Sequence, residues 1–309
     1  MHYSVLGRTG LTVSKLCLGT MHFGRRIKAR ECHYLLDKAF EYGINLIDTA
    51  DVYGGPDHHG QSETIIGEWL AQNPGKKDRL IIATKVYGKT GTGPNDRGLS
   101  AFHMRAACEA SLRRLQVDRI DLYQLHHVDR TVSWEELWTS LAHLLMRGDI
   151  LHAGSCNFAA WHIAQAQETA RRMGLPGLVS EQSIYNLQTR VVELEVLPAC
   201  SQYAMGVLAY SPLNGGSLVR SAVGSHRDEA AIERWMTLCQ EMGHPPAEVA
   251  LAWILANGSV TAPIIGPSSI EQLDSAINAL ALSLDAATME RIDSIWPGFG
   301  KPAPEAYAW

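Results

Sequence analysis

A (β/α)8 TIM barrel is the fold this sequence predicts, on three observations. Eight short strand-like runs begin near residues 15, 45, 80, 120, 150, 178, 206 and 262. Helix-periodic stretches separate them, the alternation that builds a parallel sheet. The runs also tend to stop abruptly on one polar residue, as where strand ends share a mouth. The 309 residues suit such a barrel as one unit, 1–309, with an N-terminal β-hairpin cap and a C-terminal helical tail.

Taken in order, Tyr3-Ser-Val-Leu and Leu11-Thr-Val flank Gly7-Arg-Thr-Gly10 as a hairpin leading into the first barrel strand, Lys15-Leu-Cys-Leu-Gly19. A helix over 31–42 precedes Asn45-Leu-Ile-Asp48, a buried strand ending on a carboxylate. Ile65, Ile66, Trp69 and Leu70 recur at helical spacing over 62–72. Leu80-Ile-Ile-Ala-Thr84 ends on Lys85, and a Gly-rich loop (86–99) leads to a helix over 101–115. Ile120-Asp-Leu-Tyr-Gln-Leu125 closes on His126, and Ser133-Trp-Glu-Glu136 reads as a capping box for the next helix. Ile150–Ser155 runs into Cys156-Asn157, followed by a helix over 159–173 and by Leu178-Val-Ser-Glu-Gln182. After a helical stretch near 190–203 comes Gly206-Val-Leu-Ala-Tyr-Ser211, stopped by Pro212. Pro245-Pro246 opens a helix that Asn257-Gly258 closes. Ala262-Pro-Ile-Ile-Gly266 is the last strand, and Ser268-Ser-Ile-Glu271 caps the last barrel helix. The tail from Leu284 to Trp309 adds one short helix. A two-domain doubly wound fold is the competing architecture. It lacks support from any mid-chain linker or any G-x-G-x-x-G after the first strand.

Composition narrows the function classes. Apolar residues make up 46% and charged residues 19%, ordinary for a large core. The formal charge of −5 comes without an acidic or basic block, so neither nucleic acid nor a membrane surface is an expected partner. The start, Met1-His-Tyr-Ser-Val-Leu-Gly, lacks the features of a signal peptide. Six scattered cysteines without CxxC spacing read as reduced core thiols, so a cytoplasmic location is expected.

In such a barrel Asp48, Lys85, His126, Cys156-Asn157, Gln182, Tyr210-Ser211 and Gly266 meet over one mouth, with Tyr53 one turn beyond Asp48. Asp48 and Lys85 can pair there. Lys85 beside Tyr53 is expected to lower the phenol's pKa and tune it as a general acid, with His126 a second donor to the same oxygen. Singly, each residue has an ordinary structural role open to it: a turn former, a surface ammonium, a bonded core imidazole, a buried thiol or ring. Their meeting at one mouth is the argument for catalysis.

The stretches Asn45-Leu-Ile-Asp48-Thr-Ala-Asp-Val-Tyr53-Gly, Ala83-Thr-Lys85, Ile120-Asp-Leu-Tyr-Gln-Leu-His126, Cys156-Asn157-Phe158, Glu181-Gln182, Tyr210-Ser-Pro-Leu213 and Ile264-Ile-Gly266 resemble the motifs of an aldo-keto reductase. The resemblance runs from about Tyr3 to Leu284. It implies a catalytic tetrad of Asp48, Tyr53, Lys85 and His126, with Tyr53 the proton donor to a small-molecule carbonyl. It also implies an NADPH site, with NADH as the alternative. There Gly19, Thr20, Asp48 and Cys156 would touch the cofactor, Asn157 and Gln182 would bind the carboxamide, and Tyr210 would stack under the ring. Ser211, Leu213 and Gly266 would line the pyrophosphate, and Ser268 and Gln272 the adenosine end.

Departures from the family pattern accompany the likeness. Cys156 stands where many relatives have Ser, and Ser268 where many direct an Arg at the 2′-phosphate, although the potassium-channel β-subunit branch shares Ser. Ser275 and Ala276 replace a frequent Glu and Asn, and Asn214–Asp228 is shorter than the usual cofactor-covering loop. Residues 86–100, Leu125–Arg130 and Trp161–Gln167 resemble a bacterial branch that includes keto-deoxysugar reductases. His58 and His59 read first as a solvated loop and second as a pocket rim, and Trp309 with the Pro-rich tail either covers a pocket edge or frays. The competing functions are a regulatory cofactor-binding subunit like the channel β-subunits and a metal-dependent barrel hydrolase. A homo-oligomer is compatible with the sequence.

Overall fold

Among the described residues ten strands build the sheets: β1 (Tyr3–Val5), β2 (Thr12–Ser14), β3 (Cys17–Gly19), β4 (Leu46–Asp48), β5 (Ile81–Val86), β6 (Ile120–Leu125), β7 (Ile150–Cys156), β8 (Ser180–Ile184), β9 (Gly206–Tyr210) and β10 (Ala262–Ile265). The first two pair antiparallel as a hairpin, and the other eight close into a parallel barrel in the order β10-β3-β4-β5-β6-β7-β8-β9. The computed structural model describes residues 1–55, 58–219 and 229–307. Trp309 and residues 220–228 of the cofactor-loop segment lie outside the described residues.

The helices between and after the strands are α1 (Ala29–Glu41), α2 (Gln61–Gln72), α3 (Pro74–Lys77), α4 (Ala101–Leu115), α5 (Trp134–Arg147), α6 (Ala160–Arg172), α7 (Val196–Gln202), α8 (Glu229–Met242), α9 (Pro246–Ala256), α10 (Ile270–Asn278) and α11 (Ala286–Ile295). Their apolar spacing is what fastens them to the barrel. On α1 the buried side chains are Cys32, Leu35, Leu36 and Ala39, and on α5 they include Leu137, Leu141 and Leu144. That is one face of a 3.6-residue period.

Two cores result. An outer one fills the space between strands and helices. An inner one, with Cys17, Leu46, Ala83, Leu122, Leu208 and Ala262, fills the barrel. Leu6 from the hairpin joins the inner core, so the N-terminal hairpin plugs the end opposite the strand carboxyl ends. All six cysteines are free and buried. Among the described residues no helix is long and apolar enough to cross a membrane.

Several local expectations change. The third barrel strand runs one residue past Lys85, to Val86. At α5, Ser133 Oγ accepts from the Glu136 N–H, but the Glu136 carboxylate turns away to the Ala101 N–H at 2.9 Å, leaving the box half closed. The α10 cap is Ser269, not Ser268, and it accepts from the Gln272 N–H. Helix α8 was not assigned from the sequence; its buried Ile232, Trp235, Leu238 and Cys239 carry the periodicity that marks it.

Candidate active site

At the carboxyl end of β4, Asp48 is 2% exposed, and Lys85 on the neighbouring strand β5 is 0% exposed. Two buried opposite charges need full hydrogen bonding to be tolerable, and both receive it. Asp48 Oδ2 accepts from Lys85 Nζ at 2.5 Å. Its Oδ1 accepts from the side-chain amides of Gln124 at 2.9 Å and Gln182 at 2.8 Å. The other two ammonium protons of Lys85 go to the Thr49 carbonyl at 2.9 Å and to Tyr53 Oη at 3.2 Å. The backbone of Asp48 is held as well, since its carbonyl accepts from both the N–H and the hydroxyl of Thr20, each at 3.0 Å.

An ammonium has donors only, so Tyr53 Oη is the acceptor in its bond with Lys85. The phenolic proton is therefore free to point elsewhere. His126 stands beside it, its ring edge-on to the phenol with centroids 6.1 Å apart, and stacked on His127 at 5.2 Å. Burial, with the charges of Lys85 and His127, pushes the His126 pKa down to about 3, so the imidazole is neutral at physiological pH.

The tuning expected of Lys85 runs the other way in net. Burial raises the Tyr53 phenol above its usual value, and the opposing pull of the Lys85 charge is outweighed. Burial would likewise lower the Lys85 ammonium, but Asp48, Tyr53 and Cys156 hold it above the ordinary lysine range.

From this cluster a cleft of about 1230 Å³ extends across the barrel mouth to the start of α10. Gly19, Thr20, Asp48, Tyr53, His126, Cys156, Asn157, Gln182, Tyr210, Ser211, Leu213, Gly266, Ser268 and Gln272 all line it, whereas Lys85 lies behind. His58 and His59 are exposed and do not line it. Gly19 is required by the close approach of β10: a Cβ there would meet Ile264 Cγ2 at 2.6 Å.

Two wall residues sit in strained backbone. Asn157, just after β7, has φ 60°, and Ser211, just after β9, has φ 51°. Left-handed conformations in non-glycine residues concentrate at functional sites. Asn157 Oδ1 accepts from the Tyr210 hydroxyl at 2.9 Å, and its amide donates to the His126 carbonyl at 3.3 Å. Gln182 spends its amide protons on Asp48 and on Gln124 Oε1, at 3.0 Å. The Cys156 thiol lies 3.8 Å from Gln182 Oε1, a weak contact that leaves this oxygen able to accept from a ligand.

Sequence reading missed Gln124, which ties Asp48 to Gln182. The available signal was an amide in a strand whose six residues are all buried. It also missed Met21, His22, Arg26 and Glu31, which line the cleft from the segment between β3 and α1.

Comparison with known proteins fits this geometry. The model described as "Aldo/keto reductase family" matches residues 15–297. The chain is 44% identical to uncharacterized oxidoreductase YrpG of Bacillus subtilis (strain 168), covering all of both proteins. It is 32% identical to norsolorinic acid reductase of Aspergillus flavus, over 96% of this chain and 81% of that one. A probable voltage-gated potassium channel subunit beta of Oryza sativa subsp. japonica is 30% identical, over 96% of this chain and 95% of that one. With a family match over most of its length and an end-to-end relative, this oxidoreductase belongs to the aldo/keto reductase family.

Proposed function

We propose that this protein reduces an aldehyde, ketone or keto-sugar carbonyl to an alcohol with NADPH, and that Tyr53 delivers the proton. The observation that carries the reading is the bonding of Lys85: its third proton goes to Tyr53 Oη at 3.2 Å, leaving the phenol's own proton for a ligand in the cleft.

The cleft suits a dinucleotide. At about 1230 Å³ it exceeds the ~300–1,000 Å³ of ordinary small-molecule pockets. The amide side chains of Asn157 and Gln182 line it together with Tyr53, and nothing lies within 4 Å of where a Cβ on Gly266 would point. Asn157 and Gln182 would hold the carboxamide, Tyr210 the ring face, Ser211, Leu213 and Gly266 the pyrophosphate, and Ser268 and Gln272 the adenosine end. When bound, the nicotinamide supplies the hydride to the carbonyl carbon.

The chain's own residues do the rest. Tyr53 Oη donates its proton to the carbonyl oxygen, and Lys85 Nζ stabilises the phenolate left behind. Asp48, bonded to both amides and to Lys85, keeps the ammonium charged and in place. Neutral His126 offers a ring N–H to the same carbonyl oxygen without competing for the proton. Burial of Asp48 and Lys85 keeps water from competing for the bond between them.

The test is steady-state NADPH oxidation with a panel of aldehydes, ketones and keto-sugars. Turnover abolished in Tyr53→Phe supports the reading. Tight nucleotide binding without turnover on any carbonyl would favour a regulatory cofactor-binding role, which the likeness to the rice channel subunit keeps as the second reading.

A further inference from the structure

We propose that the start of α1 is a phosphomonoester site, in which Arg26 and Arg30 pair with the 2′-phosphate of NADPH and make the protein prefer NADPH over NADH. This rests on the reductase reading of the cleft.

The first observation is a charge pattern with no local justification. In a chain of net charge −5, the six residues Arg25-Arg26-Ile27-Lys28-Ala29-Arg30 carry four cations. Four cations in six residues are too few to make a basic block of the chain, but they are concentrated in one place. It sits at the amino end of α1, where the aligned peptide dipoles already present positive charge and cations are disfavoured. The N-cap is Lys28, which makes no side-chain cap bond, where Ser, Thr, Asp or Asn would stabilise the helix. Among the described residues, Arg26 and Arg30 have no ion-pair partner. The helix gains nothing from these charges, so an anion outside it is the natural complement.

The second observation is where the block faces. Beside the main cleft lies a smaller hollow of about 580 Å³ between α1 and α10, lined by Arg30, Tyr34, Leu35, Ser269 and Ile270. The two spaces meet along Glu31 and Ser268, which line both. Arg26 is the one Lys or Arg lining the cleft, and Arg30 the one lining the hollow, among the described residues. Ser268 thus lies where the space lined by Arg26 joins the space lined by Arg30.

The third observation is chemical. Ser268 carries no charge, and its N–H and hydroxyl are both turned to Gln272 Oε1, at 2.8 and 3.1 Å. It cannot balance a dianionic phosphate. The nearby carboxylates are engaged locally: Glu31 accepts from the Lys28 N–H at 3.1 Å, and Glu271 is held below its usual pKa by Ser269 and its own backbone N–H. Guanidinium groups match phosphate oxygens in pairs and remain charged throughout. A 2′-hydroxyl offers them no comparable charge, so the two cofactors separate here.

Dissociation constants for NADPH and NADH, read by fluorescence titration, test the site without any turnover. The wild-type protein is expected to bind NADPH more tightly than NADH, and 2′,5′-ADP more tightly than 5′-ADP. The double variant Arg26→Ala/Arg30→Ala is expected to lose about 10- to 100-fold in NADPH affinity and less than about twofold for NADH. The wild-type preference should shrink as salt rises, because both guanidiniums are exposed. Equal losses for the two cofactors would overturn the proposal, since the guanidiniums would then serve the shared pyrophosphate. An unchanged NADPH constant, or a wild-type protein that does not discriminate, would overturn it too. Failure of the wild-type protein to bind either nucleotide would instead strike the reductase reading itself.

Discussion

Lys85 Nζ donates to Tyr53 Oη across 3.2 Å while its other two protons are taken by Asp48 and the Thr49 carbonyl. The phenol is thereby an acceptor toward the protein and a donor toward the cleft. Tyr53→Phe removes the donor and little else, because the ring stays packed. Carbonyl reduction should fall by at least ~10² to 10⁴ in kcat, the usual worth of a positioned general acid, with cofactor affinity near normal. Parallel turnover and binding measurements check this, and unchanged turnover would remove Tyr53 from the role.

Replacing Lys85 acts on two quantities at once. Lys85→Met leaves the Asp48 carboxylate buried with only its amide partners, so stability should drop by about 3–5 kcal/mol in urea denaturation. Burial already raises the Tyr53 phenol, and Lys85 is the charge that opposes it. Without that charge the phenol rises further. Reduction needs the protonated phenol, so the limb of the pH–rate profile that falls at high pH should move to higher pH. A limb that stays in place would sever the electrostatic link between the two residues.

The imidazole of His126 offers a second pH test. Its folded value, about 3, lies below the ordinary 6.5. The unfolded chain therefore takes up the proton first as pH falls, and folding loses stability progressively below about pH 6.5. Between pH 7 and pH 5 this single group should cost about 2 kcal/mol. His126→Asn should show a correspondingly smaller loss over that interval. Equal pH dependence in the two proteins would mean that the ring is charged, or solvated, in the folded state.

Asp51 is buried, and among the described residues no donor makes a well-formed hydrogen bond to its carboxylate, the Val52 N–H opposing the rise in its pKa only weakly. Burial and the neighbouring Glu63 raise its pKa well above 3.8. Glu63 itself is satisfied by Thr84 Oγ1 at 2.6 Å and Arg114 Nε at 2.7 Å. For an acid with a raised folded value, the cost is absent below the unfolded pKa and grows as pH rises above it. Asp51→Asn should therefore be at least as stable as wild type at pH 7, with an advantage that widens from pH 4 to pH 7. A loss above ~1 kcal/mol at pH 7 would show that the carboxylate is ionised and paired.

Residues differ in how far their sequence context could speak for them. Asp48 and His126 announce themselves because each ends or follows an apolar run, and the barrel rule says where such ends go. Gln124 does not, since an amide inside a strand says nothing about which carboxylate it will meet across the barrel. Ser268 and Ser269 are interchangeable as text. Which one caps α10 depends on how the loop from β10 delivers its backbone. The sign of the Tyr53 shift was legible only in part, because the Lys85 charge can be inferred from a motif but the depth of burial cannot.

Local chemistry in the chain was enough to set the barrel, the helix faces and the candidates Asp48, Tyr53, Lys85 and His126, since short apolar runs and 3.6-residue periods are written within a few neighbouring residues. Tertiary structure alone decided that burial outweighs the Lys85 charge at Tyr53, that Gln124 and Gln182 share Asp48, and that the basic start of α1 stands beside Ser268. Desolvation and pairing depend on groups far apart in sequence, and only closure of the barrel brings those groups within reach of one another.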